Sequence, residues 1–160
     1  MTNPALDEFV VQFWGVRGSV PSPGFETIRY GGNTSCIEIR VANKRIIFDA
    51  GTGLRNLGKE LEGQKNLELH MCFTHYHWDH IQGLPFFEPL FQAGNRLHVY
   101  GQVPEEVRPM SLEEHFYTRV LHASSPVPVV QLEADVVFHE LTCGDTFKIG
   151  DAELEGIATG

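Results

Sequence analysis

One short run limits what this chain can be more than anything else in it. After the apolar stretch Leu67 to Phe73 comes Thr74-His75-Tyr76-His77-Trp78-Asp79-His80, an H-x-H-x-D-H pattern. While the backbone is extended, alternate side chains point the same way, so His75 and His77 share one side. When the chain then turns into a helix, Asp79 and His80 project from its start, and four donors converge from a very short segment. Imidazole and carboxylate suit zinc, iron or manganese, and a catalytic site keeps a coordination position open for water or substrate. The natural division puts His75 and His77 on one ion and Asp79 and His80 on a second, with an activated water as nucleophile. A lone histidine is more often solvated or hydrogen-bonded than a ligand. Eight histidines and six aspartates scattered at random, however, would produce this pattern about once in a thousand chains of this length, so the run is read as metal-binding.

Other residues are candidates for supporting roles. Asp49 ends an apolar stretch in Asp49-Ala50-Gly51-Thr52-Gly53. It is a candidate to orient the ligand loop by hydrogen bonding, with an Asx-type turn before Leu54 as the alternative. Gly31-Gly32-Asn33-Thr34-Ser35 supplies backbone N–H groups and hydroxyls, so Asn33, Thr34 and Ser35 are candidate phosphate contacts, and a plain turn is the alternative. Arg17 in the turn-rich Gly15 to Gly24 segment is a candidate to stabilise anionic charge, against the alternative of a solvated arginine. His70, His98, His115, His122 and His139 show no ligand spacing and are expected to be structural or exposed, with His122 at a helix C-terminus. Cys36, Cys72 and Cys143 form no C-x-x-C and are expected to be buried thiols.

The chain has 160 residues, 42% of them apolar and 21% charged, which is ordinary for one globular domain. Its net charge of −9 argues against a broad basic face for nucleic acid, although a bound metal can reverse the local field. The first residues carry neither a basic nor an apolar export region, and no apolar run is long enough to span a membrane, so a cytoplasmic location without membrane attachment is expected. Patterning predicts a strand over Glu8 to Trp14 and an antiparallel pair from Cys36–Val41 and Arg45–Phe48. A helix follows over Leu54 to Leu61, then a strand over Leu67 to Phe73 and a helix from Asp79 to about Gln92. Phe86, Phe87, Leu90 and Phe91 would lie on that helix as core residues, with an assembly surface as the alternative. A strand over Leu97 to Tyr100 precedes a helix from Ser111 to about His122, opened by the capping-box spacing Ser111-Leu112-Glu113-Glu114. Val136–Leu141, Thr146–Ile149 and Glu153–Ile157 read as a β-meander.

The motif and three further blocks carry a resemblance. Phe13-Trp14-Gly15-Val16-Arg17-Gly18-Ser19-Val20-Pro21, Tyr30-Gly31-Gly32-Asn33-Thr34-Ser35-Cys36, Ile47-Phe48-Asp49-Ala50-Gly51-Thr52-Gly53 and His75–His80 with Ile81-Gln82-Gly83-Leu84-Pro85 resemble metallo-β-lactamase-fold hydrolases. Within them, the resemblance is to the branch that includes phosphodiesterases and tRNA 3′-processing nucleases. It implies an α/β protein, an αββα sandwich, present here as its N-terminal half in one domain truncated at the C-terminus. It implies two divalent ions, Zn2+ with Mn2+ or Fe as alternatives. His75 and His77 would hold the first ion and Asp79 and His80 the second, with Asp79 also orienting or deprotonating the water. The remaining ligands would follow the last strand. The implied activity is phosphodiester hydrolysis of a cyclic nucleotide, a small diester or an RNA end. Thioester or acyl hydrolysis on the same scaffold is one alternative. A non-catalytic metal-binding module that pairs with itself or with a completing chain is another.

Overall fold

The computed structural model describes residues 9–121 and 132–156. Six strands lie side by side in chain order: β1 (Val10–Gly15), β2 (Cys36–Val41), β3 (Lys44–Phe48), β4 (Glu68–Cys72), β5 (Arg96–Gly101) and β6 (Asp135–Glu140). β1, β2 and β3 are antiparallel neighbours, whereas β3 to β6 run parallel. The β2–β3 hairpin turns at Ala42 and Asn43, with φ 47° and 61°. Two consecutive left-handed residues are what a two-residue hairpin of matching twist requires. Parallel pairing needs a crossover, and α1 (Leu54–Glu60) supplies it between β3 and β4.

Strand alternation gives the sheet two apolar faces. On one, Ile47, Leu69, Met71, Leu97 and Val99 pack against Leu54, Leu57 and Leu61 of the α1 segment and against Leu84, Phe87 and Leu90. Those three leucines, spaced three and four apart, are fully buried, and each contributes about 2 kcal/mol of apolar transfer. On the other face, Ile46, Cys72 and Tyr100 meet a separate hairpin of β7 (Thr146–Ile149) and β8 (Ala152–Glu155) through Phe147, Ile149 and Leu154. This is a mixed α/β architecture with a central sheet and few helices.

Several elements differ from the sequence expectation. The helix expected over 79–92 is α2 (Trp78–Ile81) followed by two 3-10 turns, Leu84–Phe86 and Glu88–Phe91. Pro85 and Pro89 each remove a backbone donor, and a longer α-helix cannot pass them. The tighter turns bury Phe87 and Leu90 and pack Phe91 against the core, but leave Phe86 55% exposed, so the apolar stripe is not uniformly core. The capping-box helix forms as α3 (Leu112–His115), with Ser111 Oγ accepting from the Glu114 N–H at 3.1 Å, and then widens into π-helical turns over Phe116–Leu121. His122, Glu8 and Ile157 lie outside the described residues. The expected meander is split, because β6 joins the edge of the main sheet parallel to β5 while β7 and β8 pair only with each other. Cys36 and Cys72 are buried, whereas Cys143 sits exposed before the turn at Gly144. Among the described residues, no helix is long and apolar enough to cross a membrane.

Candidate metal centre

The parallel strands end where the H-x-H-x-D-H run begins, and clefts at the carboxyl ends of such strands are the usual place for a site in an open α/β sheet. Asp49 leaves β3 in the left-handed region at φ 61°, and its N–H donates to the Cys72 carbonyl of β4 at 3.0 Å. Its carboxylate, 3% exposed, turns into the loop after β4. There it accepts from the Thr74 N–H at 2.9 Å, from Thr74 Oγ1 at 2.9 Å, from His80 Nδ1 at 2.7 Å and from Ser35 Oγ at 3.3 Å. Thr74 Oγ1 also lies 3.0 Å from His75 Nδ1. A hydroxyl with one hydrogen that donates to Asp49 accepts from its other neighbour, so His75 Nδ1 carries the proton. Asp49 thus orients His80 directly and His75 through Thr74, and each ring keeps its Nε2 lone pair for a ligand.

The four donors stand as two pairs. His75 Nε2 and His77 Nδ1 are 3.1 Å apart, and His80 Nε2 is 3.5 Å from Asp79 Oδ2. The His75 and His80 rings bring the pairs together, with centroids 4.0 Å apart. Zinc binds nitrogen and oxygen at about 2.0–2.2 Å, so two donors of one ion lie roughly 3–3.5 Å apart, and both pairs have that spacing. The donor types and the fixed His80 tautomer fit a divalent cation. Among the described residues, however, no three His, Cys, Asp or Glu side chains converge to hold one ion, so each pair is a partial set.

Burial, with the His80 and His77 rings beside it, lowers the His75 pKa and favours the neutral ligand form. At Asp79 burial pushes upward, but the Ser19 N–H, the Asp79 N–H and the neighbouring His80 outweigh it and hold the carboxyl below its ordinary value. An open cleft of about 430 Å³, lined by Thr74, His75, His77, Gln102 and Glu106, lies beside the first pair.

The other sequence candidates are placed differently. Thr34 is fully buried, and its N–H and hydroxyl are engaged with Thr52 at 2.9 and 2.8 Å, so it latches two loops and does not reach a substrate. Asn33 Oδ1 accepts from Thr52 Oγ1 at 3.1 Å, and Ser35 Oγ is spent on Asp49. Spacing alone does not distinguish such a latch from a phosphate cradle, because both use hydroxyls beside glycines. Arg17 is exposed, forms no ion pair among the described residues, and touches the latch through its backbone bridge to Thr34. Sequence reading missed Thr74, whose one signal is its place directly before the motif. It also missed Gln82, which donates to Thr34 Oγ1 at 3.3 Å, and Ser19, whose N–H reaches Asp79.

The profile of the metallo-beta-lactamase superfamily matches residues 29–148. Ribonuclease Z of Pyrococcus abyssi (strain GE5 / Orsay) is 33% identical over 136 residues, which cover 82% of this chain and 38% of that protein. The metallo-beta-lactamase fold protein YhfI of Bacillus subtilis is similar in structure, with a TM-score of 0.55 and 16% identity over 90% of this chain and 50% of that one. A diphosphatase of the PhnP family is similar with a TM-score of 0.50 and 19% identity, over 75% of this chain and 42% of that one. The chain therefore spans half or less of the length of these relatives. With the profile lying over most of its length, the chain belongs to the metallo-beta-lactamase superfamily.

Proposed function

We propose that this chain carries the first part of the active site of a metal-dependent phosphodiesterase. The observation that supports it most is the paired arrangement behind Asp49: His75 with His77, and Asp79 with His80, with the His75 and His80 rings held through Nδ1 so that each Nε2 is turned to its pair. In this reading His75 and His77 hold one divalent ion and Asp79 and His80 a second, zinc before manganese or iron. Such ions, when bound, lower the pKa of water and polarise phosphoryl oxygens. The protein's own part is positional. Asp49 keeps two imidazoles in their ligating tautomer, and Asp79 stays ionised and can accept a hydrogen bond from the attacking water. Arg17, on the exposed first loop, supplies positive charge for an anionic substrate.

The 33% identity to a ribonuclease Z favours phosphodiesters over acyl substrates. The net charge of −9 favours a cyclic nucleotide, a small diester or an RNA end over long nucleic acid. With two donors per ion, the further ligands come from a completing segment or from a second chain. The reading places the protein in the cytoplasm. Its test is elemental mass spectrometry of the purified chain beside His77→Ala, with turnover of bis(p-nitrophenyl) phosphate compared with an acyl-glutathione thioester. Metal lost in the variant, with diester cleavage exceeding thioester cleavage, supports the reading. Thioester preference points to an acyl hydrolase, and metal content equal in both chains overturns the ligand assignment.

A further inference from the structure

Ser19 and Asp79 are 60 positions apart, yet the Ser19 N–H donates to Asp79 Oδ2 at 2.7 Å. Ser19 is held at φ 70°, a region that non-glycine residues rarely occupy and that persists where the surroundings determine it. Those surroundings are visible. The Val16 and Arg17 N–H groups donate to the Asn33 carbonyl at 3.0 and 2.9 Å, and the Ser22 N–H donates to the Gly32 carbonyl at 3.0 Å. The two strips lie so close that a Cβ on Gly15 would run into the Thr34 carbonyl, and one on Gly32 into the Ser22 carbonyl. The loop is thus clamped on both sides of Ser19, and the clamp aims its N–H at Asp79. A donor fixed in advance restricts the carboxylate without an ordering cost at the moment of binding.

We infer that Ser19 is a positioning residue for the Asp79–His80 pair: its backbone N–H fixes the Asp79 carboxylate beside His80, which makes the first loop part of the metal centre. The inference rests on reading that pair as metal ligands. The loop and the ion are then reciprocally coupled, each tightening the other.

The full chain can be assembled by ligating a synthetic segment 1–35 to Cys36, with an ester in place of the Ser19 amide. That change removes the N–H and keeps the serine side chain. In the metal-free chain, Ser19 amide hydrogen exchange is expected to be at least about tenfold slower than in Asp79→Ala, as for a hydrogen-bonded amide. Equal exchange overturns the inference whatever the chain does with metal. In a His77→Ala background, which isolates the Asp79–His80 pair, the ester chain is expected to bind Zn2+ about tenfold more weakly or worse, the usual cost of losing a group that orients a ligand. Ser19→Gly keeps the N–H and relieves the left-handed backbone, so its zinc affinity is expected within about twofold of the parent. Equal zinc affinity in the ester and amide chains overturns the positioning role. A slowed amide together with no zinc binding by either chain overturns the positioning role and the reading that this pair holds zinc within the chain, and the amide signal separates that failure from a misplaced Ser19.

Discussion

Lowering the pH is expected to destabilise this protein through His70. The ring is 5% exposed on the hairpin-covered face of the sheet, stacked on His98 at 4.8 Å, with Nδ1 3.2 Å from the Tyr100 hydroxyl. Among the described residues its Nε2 has no hydrogen-bond partner. Burial first, and the neighbouring His98 second, lower its pKa from 6.5 to about 4. The folded state therefore resists the proton that the unfolded chain accepts. Above pH 6.5 neither state is charged at this ring and stability is whole; as pH falls below 6.5 the unfolded state gains protons first, and stability declines until about pH 4. Integrating between those values gives a loss of about 2 kcal/mol by pH 5 and about 3 kcal/mol below pH 4. The assay is urea unfolding followed by tryptophan fluorescence at about pH 7.5 and about pH 5, for the parent and for His70→Leu. The variant removes the His70 partner of the Tyr100 hydroxyl at every pH, so that cost cancels in the difference of differences. Asp79, whose pKa is lowered, and His115 and His139, lowered by burial, lose stability in the same direction in both chains, and Glu68, held low first by its hydrogen bond from Lys44, keeps that partner when His70 is replaced. The parent is expected to lose about 2 kcal/mol more than the variant over this interval. A double difference below about 0.5 kcal/mol, or of the opposite sign, would refute the argument that this ring is held neutral.

Further outcomes follow from the same contacts. Asp49→Ala removes the acceptor of Thr74 and His80 and is expected to cost about 2–4 kcal/mol in urea melts. Asp49→Asn tolerates the left-handed backbone and is expected to cost less, while metal retention by elemental analysis falls about tenfold or more in both. Gly83→Ala drives a Cβ into the Gly51 carbonyl and is expected to lose about 2 kcal/mol or more, whereas Gly18→Ala meets no atom among the described residues and should be nearly neutral in thermal unfolding. Leu57→Ala, at a fully buried position under the sheet, is expected to lose about 2–5 kcal/mol with an unchanged urea slope.

Much of the strand content was legible in the residues, because β2, β3, β4 and β5 are short apolar runs bounded by turn residues. The segment after the motif was not. Its apolar spacing suits a helix, and only the joint effect of Pro85 and Pro89 breaks it into tighter turns. The last strands misled for another reason. Alternation places a residue on a face but does not name the strand beside it, so β6 could be read into a meander although its partner is β5. Likewise His70, His98 and His139 carry no spacing signal, because their stack is made across strands.

The order of residues alone determined that His75, His77, Asp79 and His80 stand together, since contacts within one strand-to-turn segment are short-range and need no partner to form them. Only the tertiary structure decided which groups hold them. Asp49 comes from a neighbouring strand, and Ser19 from a loop clamped against residues 32–34. Such pairings depend on parallel register and on close backbone approach, and these arise only when the sheet has brought distant segments side by side.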